Sequence, residues 1–121
     1  MASGKEGKIQ KECLEAGKDH PAVAWLDRAN SGKVRVRGGF MQLHQIGTPD
    51  LIGYTLDARV ILIEIKDEDK YAKKNHSMSD EQIERLLDGK KRGAIAGCVC
   101  SVEQMYRVLN GEHVGLDDLT L

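Results

Sequence analysis

Apolar residues recur along the N-terminal third of this chain with two spacings, one helical and one extended. The segment from Ser3 to Ala16 predicts a helix because its apolar side chains return every three or four positions. Two runs follow, at 22–29 and 33–37, and the Asn-Ser-Gly tripeptide between them predicts a β-hairpin. Gly38–Gly39 ends that hairpin, so we expect a mobile stretch from there to Gly47.

Two strands joined by a turn are predicted in the middle of the chain, at 50–54 and 60–65. The second strand is almost unbroken in its apolar character, which is typical of a strand buried on both faces. The segment 67–77 is polar and follows neither the helical nor the extended period, so we expect a loop there.

The last third of the chain predicts a helix, a strand and a second helix. Ser79 begins a helix that a basic cluster closes before Gly93, residues 94–99 form a short apolar strand, and a final helix covers 101–109. The predicted order is αβββ(β)αβα, an α/β fold in which helices flank a mixed β-sheet. The strand–helix–strand step from Val60 to Val99 predicts a parallel pair with a right-handed crossover.

The composition fits one folded domain spanning residues 1–121. The chain has 121 residues, 40% of them hydrophobic, which suits a single small core. No apolar run approaches the ~20 residues that cross a bilayer, and no secretory signal is seen, so we expect a cytoplasmic protein without a membrane partner. The three cysteines match no metal-ligand spacing and are expected to be reduced thiols. The net charge of −1 means that nucleic-acid binding would require clustered basic residues.

The two central strands carry the residues with the clearest chemistry. Asp50 opens the first strand and Glu64 closes the second, so a hairpin would bring both carboxylates to one end of the sheet. Lys66 should face the same side as Glu64, and the backbone carbonyl of Ile65 is free to join the carboxylates. Two carboxylates and a carbonyl form a hard-oxygen site suited to Mg²⁺ or Mn²⁺. A lysine beside that ion could orient or deprotonate water, as metal-assisted phosphodiester hydrolysis requires. The alternative is a solvated strand end, for which Glu-x-Lys is a common pattern.

Three motifs in order resemble the PD-(D/E)xK nuclease superfamily. They are Gly47-Thr48-Pro49-Asp50-Leu51-Ile52-Gly53, then Ile63-Glu64-Ile65-Lys66, then Ser79-Asp80-Glu81-Gln82. More narrowly, the chain resembles the VRR-NUC domains found in small stand-alone phage and bacterial proteins. The resemblance covers most of the chain, from about residue 6 to residue 109.

The resemblance implies a restriction-endonuclease-like core, αβββαβα, and a Mg²⁺- or Mn²⁺-dependent endodeoxyribonuclease. It implies that Asp50, Glu64 and the Ile65 carbonyl bind the metal and that Lys66 is catalytic. The stand-alone members imply a homodimer that acts on branched DNA such as Holliday junctions, in the cytosol of a phage-infected or bacterial cell.

Two further site residues follow from the family pattern, and each has a structural alternative. Glu6 precedes an Ile-Gln pair by three residues, which implies a catalytic acid and a possible further metal ligand. Gln82 stands where the family has a glutamine near the site. Both also fit capping boxes, as Ser3-x-x-Glu6 and Ser79-x-x-Gln82, in which the side chain caps its own helix.

Two groups of basic residues are candidates for DNA binding. One alternates along a predicted strand and so shares one face, and the other lies in the polar segment after the central strands; they are Lys33, Arg35, Arg37, and Lys70, Lys73, Lys74. Solvated surface is the alternative for both groups. Trp25 is expected in the core or at a dimer contact, and His20 is expected on the surface.

Two rival functions stay open. The chain could be a non-catalytic module that binds DNA structures, although Asp50, Glu64 and Lys66 are all present. It could also be a restriction-type nuclease that reads a fixed sequence. Assays with branched and linear DNA, with and without metal, would separate these functions from the first.

Overall fold

A computed structural model describes residues 4–29, 33–37, 39–42 and 47–120. The elements of these residues follow one another along the chain in this order: α1 Gly4–Lys18, β1 Val23–Arg28, β2 Lys33–Val36, β3 Gly39–Gln42, β4 Leu51–Thr55, β5 Val60–Ile65, α2 Glu68–Tyr71, a 3₁₀ segment Lys74–Ser77, α3 Asp80–Lys91, β6 Ile95–Val99 and α4 Val102–Leu109. No helix in the described ranges has the length and apolar character needed to span a membrane.

The main sheet is mixed, as the sequence predicts. Its strand order is β1-β4-β5-β6, with β4 antiparallel to both neighbours and β5 parallel to β6. Helix α3 connects the two parallel strands, which is the strand–helix–strand step expected from the pattern. Strands β2 and β3 pair with each other in a separate two-stranded sheet.

Helices cover both faces of the main sheet, and β5 contributes side chains to each. Ile61, Ile63 and Ile65 point to one face, where they join a buried cluster with side chains of α1 and α4. Leu62 points to the opposite face and packs near a second cluster that includes side chains of α3. Side chains of β5 point alternately to the two faces of the sheet and pack in both clusters. This explains why the strand is apolar at almost every position.

The predicted β-hairpin between residues 22–29 and residues 33–37 is wrong. Strand β1 pairs with β4 along its length, and β2 pairs with β3. The physical reason is long-range burial: Leu26 of β1, 2% exposed, reaches the main core only when β1 lies beside β4. Residues 39–42 form β3, so the expectation of a mobile stretch is also wrong there.

The polar segment after β5 contains short helical turns instead of the expected loop. Asp67 caps α2 by accepting a hydrogen bond from the Lys70 backbone N–H at 2.9 Å. A 3₁₀ segment follows at Lys74–Ser77. Turns this short are stabilised by caps and tertiary contacts, so their sequences show no apolar period.

His20 is placed differently from expectation, and Trp25 lies outside the core, so a dimer contact through Trp25 stays a prediction. Trp25 is 44% exposed on β1 and stands beside Tyr54, with ring centroids 5.9 Å apart, so it is not a core residue. His20 is buried; its Nε2 lies 2.8 Å from the side-chain oxygen of Asn110, and its Nδ1 accepts a hydrogen bond from the Ala22 N–H. This histidine joins the turn after α1 to the end of α4.

The C-terminal half follows its sequence pattern closely. Ser79 caps α3 in a complete capping box with Gln82, and Gly93 follows the helix with a φ of +98°. Ser101 likewise caps α4. All three cysteines are free thiols, as expected.

Candidate active site

The register of the central hairpin brings Asp50 and Glu64 together. Leu51 pairs with Ile63, so the preceding Asp50 stands opposite the following Glu64. The Asp50 backbone N–H donates to Oε1 of Glu64 at 3.2 Å, and the Ile65 backbone N–H donates to Oδ2 of Asp50 at 2.8 Å. Each carboxylate is therefore held by the backbone of the other strand, which fixes the pair at the end of the sheet.

Glu64 is the most unusual polar side chain of the site. It is 1% exposed, and its Oε2 has no hydrogen-bond partner among the described residues. Burial raises the pKa of Glu64 to about 10, helped by the Asp50 side chain beside it and the repulsion from its charge. Without a cation, the pair therefore holds a proton at neutral pH.

Lys66 lies next to this pair on the same side of β5. Its ammonium is half-buried and lowers the pKa of Glu64, which partly offsets the effect of burial. The Lys66 backbone N–H donates to the Val99 carbonyl at 3.0 Å, so the chain is still anchored to β6 at this point. The end of the sheet thus presents two carboxylates and an ammonium from a rigid backbone.

Cys98 is a neighbour of the site that the sequence pattern does not indicate. It is paired with Glu64 in the parallel register of β5 and β6, and it is fully buried. Burial, the carboxylate of Glu64 and that of Asp50 raise the pKa of the Cys98 thiol, which is therefore neutral. The register of a parallel pair is the signal that would locate this residue, and a single sequence does not contain it.

Glu6 lies on the first turns of α1 and faces the segment that follows Lys66. Its Oε1 is buried without a hydrogen-bond partner among the described residues, and the Lys70 ammonium lies 3.6 Å away. The ion pair connects α1 to α2. A direct role for Glu6 in catalysis or metal binding stays a prediction.

The remaining predicted residues lie away from the carboxylate pair or carry other contacts. Gln82 completes the capping box of α3, with its Oε1 accepting from the Ser79 backbone N–H at 2.9 Å, so the structural alternative is confirmed for this side chain. Lys70 pairs with Glu6, whereas Lys73 and Lys74 are exposed. The stripe of Lys33, Arg35 and Arg37 falls on and just after β2, outside the main sheet. DNA binding by both groups stays a prediction.

The donor set fits a hard divalent cation, although it is small. Two carboxylates meet, and the buried one has an oxygen with no donor in the described part of the chain. A cation would remove the repulsion that keeps a proton on the pair. In the parts of the chain that the structure describes, no three histidine, cysteine, aspartate or glutamate side chains stand close enough to share a metal. Backbone carbonyl, water and substrate oxygens would therefore have to complete the coordination.

The class of fold is a mixed four-stranded sheet flanked by helices. It carries an acidic pair and a lysine at one end of its central hairpin. A search of solved structures finds the same architecture in a structure described as a VRR_NUC domain. The two share 21% sequence identity with a TM-score of 0.59, and the match covers 92% of this chain and all of the other. This confirms the predicted α/β fold, a mixed sheet flanked by helices. No protein-family model matches the sequence. No curated protein matches it either.

Proposed function

We propose that this protein is a metal-dependent DNA endonuclease that hydrolyses phosphodiester bonds. The observation that carries the proposal is the Asp50–Glu64 pair, in which Glu64 is buried and its Oε2 has no hydrogen-bond partner among the described residues, with Lys66 alongside. A structural role alone does not explain the pair, because two carboxylates at a sheet end weaken the fold by mutual repulsion. The likeness to a VRR_NUC domain supports the same activity.

In this proposal the residues of β4 and β5 have separate tasks. Asp50, Glu64 and the Ile65 carbonyl would hold Mg²⁺ or Mn²⁺, which supplies charge neutralisation and Lewis acidity at a phosphate oxygen. The hydrogen bonds from the Asp50 and Ile65 backbone N–H groups orient the two carboxylates before substrate arrives. Lys66 would position the attacking water or neutralise charge at the phosphorus.

The role of Glu6 would be exerted through the segment after β5. Its ion pair with Lys70 holds α2 against α1, directly after the catalytic lysine. To bind the metal or the attacking water directly, the Glu6 carboxylate would have to leave Lys70. Gln82, whose carbonyl oxygen is used in the capping box, keeps only its amide N–H groups for a phosphate.

Metal binding can be tested through the proton that the pair holds. Titration calorimetry with Mn²⁺ in two buffers of different ionisation enthalpy should show release of about one proton per ion near pH 7, because a bound cation requires ionised Glu64. Asp50→Asn should lose most of the affinity. Glu84→Gln, an exposed change on α3, should bind as the wild type does. Undiminished affinity in Asp50→Asn would move the metal elsewhere.

The preferred substrate and the assembly form the finer part of the proposal. We infer activity on branched DNA such as four-way junctions by a homodimer, whose two-fold symmetry would present two sites for paired cuts. Junctions, flaps and linear duplex should be incubated with Mg²⁺, Mn²⁺ or EDTA, and sedimentation should establish the oligomeric state. Binding without metal-dependent cleavage would favour a DNA-binding module, and fixed fragments from linear duplex would favour a restriction-type enzyme.

A further inference from the structure

The chain after α4 folds back over the sheet and fastens to the segment that follows β5. The Cys98 backbone N–H donates to the Val114 carbonyl at 2.9 Å, and Leu116 is buried in the second core cluster. Near the end, Asn75 and Thr120 exchange two hydrogen bonds, each of 2.8 Å. We call residues 113–120 the C-terminal strap. It covers one face of the core and holds the segment that carries three of the candidate DNA-binding lysines.

His76 is the buried centre of this attachment. Its side chain is 9% exposed and stacks on the Tyr71 ring, with centroids 3.9 Å apart and planes at 17°. Nδ1 lies 2.7 Å from the Tyr71 carbonyl oxygen, and Nε2 lies 3.1 Å from Oδ1 of Asp118 in the strap. Both ring nitrogens therefore face oxygen atoms. The Tyr71 carbonyl oxygen can only accept a hydrogen bond, and the same holds for the Asp118 carboxylate when it is ionised.

A neutral imidazole cannot satisfy this arrangement. A neutral ring carries one N–H. If Nδ1 carries the proton and donates it to the Tyr71 carbonyl, the lone pair of Nε2 is directed at the Asp118 carboxylate. The imidazolium form donates from both nitrogens and adds an ionic attraction to Asp118. We propose that His76 is a proton-dependent clasp: with both nitrogens protonated it holds the C-terminal strap against the segment after β5, and loss of one proton weakens that attachment.

The backbone around His76 makes the clasp consequential. Asn75, His76 and Ser77 have φ values of 51°, 52° and 58°, so three successive non-glycine residues occupy the left-handed region. Each such residue is unfavourable by itself, and the conformation persists only where tertiary contacts hold it. The bonds from the strap to Asn75 and His76 supply those contacts, and weakening one of them should loosen the whole segment.

The charged groups around the clasp leave Asp118 as the acid that faces the ring. Tyr71, from α2, stays neutral because burial raises the pKa of its hydroxyl, and burial likewise raises the pKa of Cys98 beside it. Asp117 in the strap is engaged with Lys90 of α3 at 3.3 Å. The same segment also carries cations, and a further cation lies near the Tyr71 hydroxyl, namely Lys70, Lys73, Lys74 and Arg107; the acids Asp67, Glu68 and Asp69 stand at the start of the segment, around the N-terminus of α2.

The sign of the pH dependence follows from which form the folded strap prefers. The attached state favours the imidazolium, so attachment is strongest where His76 is charged and Asp118 is ionised, and it falls as rising pH removes the ring proton. None of these residues belongs to the Asp50–Glu64 pair, so the clasp proposal does not rest on the proposed nuclease activity.

Nuclear magnetic resonance on the full chain tests the clasp directly. Histidine side-chain ¹⁵N spectra at about pH 5.5 should show both nitrogens of His76 protonated. The hydrogen-exchange protection of the Thr120 N–H, corrected for its intrinsic rate, should fall about three- to tenfold between about pH 5.5 and about pH 8, the range of a partly exposed ionic hydrogen bond.

Two neighbouring acids in the strap provide the decisive variant and its control. In Asp118→Asn the side-chain amide can donate to a neutral His76, so attachment should persist at high pH and lose its pH dependence. Asp117→Asn removes one negative charge from the adjacent residue, and its strap attachment should keep the wild-type pH dependence. The proposal is overturned if His76 carries one proton at about pH 5.5, if Thr120 protection is independent of pH, or if the two variants behave alike.

Discussion

Replacing Glu64 by glutamine should stabilise the protein in the absence of metal, and the gain should grow with pH. Folding buries this carboxyl beside Asp50, and the pKa rises from 4.5 to about 10. Above the unfolded pKa, the unfolded chain releases a proton that the folded chain keeps, so stability falls as the pH rises. Glutamine has no proton to hold, can accept from the Asp50 N–H through its carbonyl oxygen, and can donate to the Asp50 carboxylate through its amide.

The magnitude follows from the same two pKa values. Between them, each pH unit removes up to about 1.4 kcal/mol from the free energy of unfolding of the wild type. At pH 7, 2.5 units above the ordinary glutamate pKa of 4.5, the sum is about 3 kcal/mol. We expect Glu64→Gln to raise the free energy of unfolding by about 1–3 kcal/mol at pH 7. The value is lower than the sum because proton sharing with Asp50 and relaxation of the site each reduce the cost of burying the wild-type carboxyl.

Urea denaturation in EDTA at several pH values measures this effect. The stability difference between Glu64→Gln and wild type should rise with pH, whereas the exposed control Glu84→Gln should show no such trend. Added Mn²⁺ should narrow the gap by stabilising the wild type alone. A constant difference across pH, or a less stable variant at every pH, would refute the assignment of a shared proton to this pair.

Two other substitutions test the proposed catalytic role of Lys66 and the fold around the site. Lys66→Ala should lower cleavage by at least about a hundredfold in a gel assay while its thermal melt stays close to that of the exposed control Lys91→Ala. Gly53→Ala should cost about 2–3 kcal/mol in chemical denaturation, because the new Cβ would lie 2.0 Å from the Trp25 carbonyl oxygen. Gly89→Ala is the matched comparison: its Cβ meets the movable end of a leucine side chain, and alanine favours the helix. Similar losses for the two glycines would contradict this reasoning.

The parts of the fold that depend on local chemistry could be predicted from the sequence. The capping serines of α3 and α4, the stop at Gly93 and the apolar run of β5 each have a signal within a few residues. The meeting of Asp50 and Glu64 also follows locally, because a short hairpin fixes its own register. These features required no knowledge of distant contacts.

Pairing between distant segments could not be predicted in the same way. Strand β1 has a turn tripeptide after it and apolar residues within it, and nothing local distinguishes β2 from β4 as its partner. The strap–clasp contact joins His76 to Asp118, 42 positions later, through a backbone conformation that the sequence disfavours. The exposure of Trp25 likewise depends on which part of the sheet the helices leave uncovered.

The small ligand set of the carboxylate pair leads to a last prediction, that metal and DNA bind cooperatively. Asp50 and Glu64 are the acids that meet at the site, and no third acid, histidine or cysteine among the described residues stands close enough to join them. An ion held by so few protein ligands keeps several waters, which phosphate oxygens of a bound strand can replace. Thermodynamic linkage then requires each ligand to raise the affinity for the other by the same factor.

The coupling is measurable with DNA that cannot be cleaved. Mn²⁺ affinity should rise at least about fivefold when a phosphorothioate-blocked four-way junction is bound, and DNA affinity should rise by an equal factor with Mn²⁺. Asp50→Asn should abolish the coupling while retaining the metal-independent DNA binding, because the basic residues are unchanged. Mn²⁺ binding of equal strength with and without DNA would mean that the protein itself completes the coordination, and Glu6, released from Lys70, would then be the first ligand to examine.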